Sequence, residues 1–82
     1  MTKLFTATAS NDFYFMDLCV LAADEAEARA KFEGFLAAHE YADEEKEGGL
    51  YTLGNIEPDG FIAGWSGEPA ETVQMTNSGC NG

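Results

Sequence analysis

Eighty-two residues make one small domain at most, and its stability is expected to be modest because a short chain buries a smaller share of its surface. Apolar content of 45%, with six Phe, three Tyr and one Trp, is enough for a core and excludes disorder throughout. The formal net charge of −11, from 15 acidic and 4 basic residues, argues against direct nucleic-acid binding, which needs Lys and Arg at the phosphates, and against an anionic membrane surface.

The first residues, Met1 to Thr8, lack the apolar stretch of an export signal. No apolar run approaches the roughly 20 residues of a membrane span. Cys19 and Cys80 make no disulfide framework. Both are therefore expected as reduced thiols in a cytoplasm.

Residues 3–9 read as a short strand, and Ser10, Asn11 and Asp12 as a turn. Residues 13–21 give the clearest strand. Tyr14, Met16, Leu18 and Val20 fall on one face, and Phe13, Phe15, Asp17, Cys19 and Leu21 on the other. Asp17 interrupts the second row, which predicts a core on the Met16 side and partial exposure on the Phe13/Phe15 side.

Asp24 opens a helix, with Glu27 three residues on as in a capping box. The early acids suit the positive end of the helix dipole. Ala28, Phe32, Phe35, Leu36 and His39 form one apolar stripe at helical period. Ala26, Ala30, Gly34 and Ala37 form a small-residue strip. It reads as high helix propensity with one costly Gly, or else as a groove for close approach of another backbone.

Residues 40–49 read as an acidic loop punctuated by Gly48 and Gly49. Residues 50–56 predict a strand, Glu57-Pro58-Asp59-Gly60 a turn, and Phe61 to Trp65 the returning strand of a hairpin. Residues 71–76 suit a short edge strand with Val73 and Met75 inward. The expected fold is α+β: an antiparallel sheet of four or five strands with one helix packed on a face, in the order β-β-α-β-β with room for a final β. One domain is expected over 1–76, with 77–82 as a flexible tail.

Little in the chain suggests catalysis or a cofactor. His39 is the single histidine and ends an apolar stripe, which suits packing or helix capping better than general-base work. Gly64-Trp65-Ser66-Gly67 lacks the final Gly of a nucleophile elbow, because Glu68 stands there. Cys19, His39 and Cys80 lack zinc spacing. The run Asp43 to Glu47 lacks the alternating ligands and central Gly of a calcium loop. Gly48-Gly49 has neither the spacing nor the Lys of a phosphate-binding loop. The expectation is a non-enzyme without metal or cofactor.

The acidity is the anomaly. Residues 24–47 hold nine acids against three bases, a net of −6. A solvated helix face and a soluble loop are the ordinary explanation. Yet the excess is global, and crowding like charge on a small body costs stability through self-repulsion. Carboxylates on a stiff frame can take the place of phosphates in a Lys/Arg groove, steered by an attraction that salt weakens. Exposed aromatics would add anchoring area. The expected partner surface is Glu40, Tyr41, Asp43, Glu44, Glu45 and Glu47, with Phe13 and Phe15. Tyr51 and Trp65 are further aromatic candidates, although most aromatics in so small a domain must be core.

With Leu18 to Glu27 running from strand into acid-capped helix and the Glu57-Pro58-Asp59-Gly60 turn beyond it, the chain resembles small phage-encoded anti-defence proteins, notably anti-CRISPR proteins. That resemblance is one of general character and carries over no residue roles. It implies inhibition of a bacterial nuclease or surveillance complex, such as a CRISPR effector complex, by surface occlusion in the host cytoplasm. The competing reading is a general interaction or regulatory module bound through apolar surface or a sheet edge. A homodimer through such an edge or the Phe13/Phe15 face is compatible with either.

Overall fold

A computed structural model describes residues 2–39, 51–58 and 67–80. It has one helix and an antiparallel sheet of five strands, an α+β arrangement. The elements are β1 (Lys3–Ser10), β2 (Tyr14–Ala22), α1 (Glu25–His39), β3 (Thr52–Leu53), β4 (Glu57–Pro58) and β5 (Gln74–Cys80). β1 and β2 form the centre. β3 and β4 pair with the outer side of β1, and β5 pairs with the outer side of β2.

The β1–β2 register sets the core. Phe5 stands opposite Val20, Ala7 opposite Leu18 and Ala9 opposite Met16. Side chains alternate along a strand, so these six share one face, and all six are buried. Ala7 and Ala9 are small where Leu18 and Met16 are large. α1 lies across β2 and inserts Ala28, Phe32 and Leu36, all buried, with Phe35 packed at the side of the cluster. Ala28, Phe32, Phe35 and Leu36 of the apolar stripe read from the sequence are therefore the packed face. The strip of Ala26, Ala30, Gly34 and Ala37 points to solvent, and nothing within 4 Å would meet a side chain added at Gly34. Among the described residues no backbone packs there, and the strip serves as solvent-facing helix surface.

The helix starts as its sequence dictates, with one change. The Asp24 carboxylate accepts the Glu27 amide at 2.8 Å, and the Asp24 carbonyl accepts the Ala28 amide at 3.0 Å. The reciprocal half of the box is absent among the described residues. The Glu27 carboxylate turns instead to Lys31, one turn on, at 3.3 Å. Before β2, the Asn11 side chain accepts the Phe13 and Tyr14 amides at 3.0 and 2.8 Å, closing the hairpin turn. Phe13 therefore belongs to the turn, and β2 begins at Tyr14.

Three expectations shift. Residues 50–56 do not form one continuous strand. β3 spans only two residues, and the register against β1 slips by one residue between Leu53 and Glu57. The Gly54 amide donates to the Thr8 carbonyl at 2.8 Å, and a Cβ at Gly54 would lie 2.9 Å from that same carbonyl. Glu57 and Pro58, expected in a turn, lie extended against Thr6 and Phe5. The remainder of that turn and the returning strand at 61–65 fall outside the described residues. The last strand begins at Gln74, not 71, and runs through residues 77–80, which were expected as tail. The cause is pairing with β2, which carries a partner as far as Tyr14 opposite Cys80. One extra residue, Thr76, sits in a bulge between the pairs Leu18–Met75 and Asp17–Asn77, and its hydroxyl donates to the Asp17 carbonyl at 3.3 Å.

Candidate functional site

Of the predicted partner residues, Glu40, Tyr41, Asp43, Glu44, Glu45 and Glu47 lie outside the described residues. Phe13 and Phe15 are described, and the structure separates them. Phe13, in the turn before β2, is 50% exposed, with its ring edge-on to Tyr14 at a centroid distance of 6.5 Å. Phe15 is half-buried, paired across the sheet with Gly79. A Cβ at Gly79 would stand 2.8 Å from the Phe15 ring, so the ring occupies the space that glycine leaves open. Covering a strand glycine in this way is a structural task. Phe13 is thus the freer of the two. Tyr51 is buried in the core and leaves the list of candidates.

The rest of that second face is partly exposed as predicted, except at Cys19, which is wholly buried. β2 has a strand on each side, so Cys19 is flanked in register by Thr6 and Gln74, and a small thiol between them is covered. Burial pushes the Cys19 thiol above its ordinary pKa, which makes it a poor nucleophile. Asp17 accepts the Thr8 hydroxyl at 2.6 Å across the β1–β2 pair. Cys80, at the end of β5, is exposed.

The described carboxylates lie outside the core. Asp12, Asp24, Glu25, Glu27, Glu33, Glu57, Glu68 and Glu71 are exposed, and Asp17 is half-buried. Among the described residues the single ion pair is Glu27–Lys31. Lys31 also donates to the carbonyls of Leu21 at 3.1 Å and Glu71 at 2.9 Å, tying α1 to the end of β2 and to the segment that leads into β5. The described carboxylates are thus carried outside the core, with one of them in an ion pair among the described residues. Among the described residues no group of three His, Cys, Asp or Glu is placed to hold a metal ion.

Sequence reasoning missed one feature. A hollow of about 190 Å³ opens between Tyr14, Met16, Tyr51, Met75, Ser78 and Cys80, beside β5. Met75, opposite Leu18 in register, is 39% exposed there. The signal was weak, because Asn77-Ser78-Gly79 reads as part of a tail until the Phe15–Gly79 pairing is known. No family model, no curated protein and no solved structure matches the chain.

Proposed function

We propose that this chain is a non-enzymatic acidic binding protein that inhibits a bacterial nucleic-acid-handling complex, of the anti-CRISPR kind, by occupying its basic surface in the host cytoplasm. The observation that carries the reading is the net charge of −11 on a packed body whose described carboxylates stand outside the core, with one ion pair among them. Such an array offers a cationic groove fixed negative charges at no cost in chain ordering. In the sequence, acidic residues are densest from Glu40 to Glu47. Long-range attraction of this kind speeds encounter and weakens with salt.

The test is capture from bacterial lysate at low and high salt. Duplex and single-stranded DNA serve as competitors, and a variant with Asp43, Glu44, Glu45 and Glu47 changed to Lys serves as control. A nucleic-acid-binding complex retained at low salt, displaced by DNA and lost with the variant supports the proposal. Retention indifferent to salt and to DNA overturns it. Such an outcome favours a second reading, an interaction module bound through apolar surface, which the exposure of Phe13 and Met75 supports.

A further inference from the structure

We infer that β5 is a docking strand, whose outer edge takes an extended, cationic segment of a partner protein by main-chain hydrogen bonding. The inference rests on the proposed function only for the sign of the partner's charge. Its own ground is that the two edges of the sheet are built differently. The edge beyond β1 is broken into two two-residue strands, slips register around Gly54, and ends in Glu57 and Pro58, the second of which has no N–H to offer. Short strands, charge and proline are the usual devices that stop a further strand from adding.

β5 has little of this. It runs seven residues, Gln-Met-Thr-Asn-Ser-Gly-Cys, with no charge and no proline in a chain of 19 charged residues. Its one irregularity, at Thr76, is followed by unbroken pairing of Asn77–Cys80 with β2. Among the described residues its hydrogen-bonded neighbour is β2 alone. The hollow beside Met75 and Tyr51 gives an added strand a place for one apolar side chain, the usual division between main-chain affinity and side-chain specificity in strand addition.

Charge chooses the occupant. A second copy would bring −11 against −11. A cationic segment meets the opposite sign, with Glu68 and Glu71 exposed on the stretch that leads into β5.

The probe is an acetylated seven-residue peptide of alternating Lys and Val, titrated into the isotopically labelled full chain. Expected are chemical-shift changes and slowed amide exchange over Gln74–Cys80. At least tenfold weaker binding is expected from a fully N-methylated peptide, which keeps its charge but loses every main-chain donor. Met75→Lys should weaken binding and Met75→Glu should not. If both peptides bind alike, or the shifts lie away from β5, the docking strand is overturned while the acidic-surface reading stands. If a Thr–Val peptide without Lys binds β5 as tightly, the cationic occupant is overturned, and the reading of the charge loses support with it. Absence of any binding overturns the inference. So does protection of β5 without peptide in a chain that sediments as a dimer.

Discussion

Replacing Lys31 by Met tests how the helix is fastened to the sheet. The ammonium donates to two main-chain carbonyls, Leu21 at 3.1 Å and Glu71 at 2.9 Å, and faces Glu27 at 3.3 Å. Met keeps the apolar stem and removes the donors. A hydrogen bond from a charged group contributes about 1.5–3 kcal/mol when well buried. The Lys31 side chain is 30% exposed, so about 1 kcal/mol for each carbonyl is a fair discount. The exposed i,i+4 ion pair adds about 0.3 kcal/mol. The expected loss is about 2 kcal/mol. At about 4–8 °C per kcal/mol for a domain of this size, the midpoint of thermal unfolding should fall by about 10 °C. Circular dichroism at several protein concentrations would read it. Arg29→Met is the control, because Arg29 is exposed on the same helix and its loss changes the net charge equally. It should cost under about 0.5 kcal/mol. Equal losses from the two variants would refute the fastening and leave self-repulsion as the cause.

Glycine substitutions should split by location. Gly34→Ala, on α1 with no described neighbour within 4 Å, should stabilise by about 1 kcal/mol, whereas Gly54→Ala would put a Cβ 2.9 Å from the Thr8 carbonyl and should destabilise; urea titration of both gives the signs. The thiols should separate as sharply: a disulfide reagent should modify Cys80 at once and Cys19 only on unfolding, so the Cys80→Ser variant should show no fast reaction. Because burial raises the Cys19 pKa, the unfolded thiol loses its proton first as pH rises. Stability should therefore hold below the ordinary thiol range and decline as pH climbs from the unfolded toward the folded value. Cys19→Ala should flatten that alkaline decline, measured as the slope of unfolding free energy against pH.

The legible parts of the fold were those where local pattern and tertiary packing agree. The Met16–Leu18–Val20 row and the Ala28–Phe32–Leu36 stripe each carried the period of their element, and each turned out to face the other. Asp24 was legible because a cap is a local bond. The failures lie where a distant partner decides. Gly54 breaks an apolar run because its amide is held by Thr8, 46 positions away in sequence. Gly79 reads as tail until Phe15 covers it. Cys19 looked half-exposed on alternation alone, and it is buried because β5 adds to the far side of β2. Of the candidate site, sequence identified exposed Phe13, while the open edge of β5 required the strand order.

On the proposed reading, charge and edge divide the work of recognition. None of the described carboxylates lies on β5 itself, and the core face beside it is apolar apart from Ser78 and the phenol of Tyr14. A field spread over the body acts at a distance and governs how often a cationic partner arrives. It discriminates poorly, because any basic surface feels it. A strand edge acts only at contact. Its hydrogen bonds form in one direction and one register, and they govern how long the partner stays. A domain of 82 residues with a modest core has little area for a large apolar interface. Steering by surface carboxylates and holding by backbone amides uses what such a domain has. It also fits β5 being left without charge or proline, because a plain main-chain edge offers an approaching segment its donors and acceptors in one register.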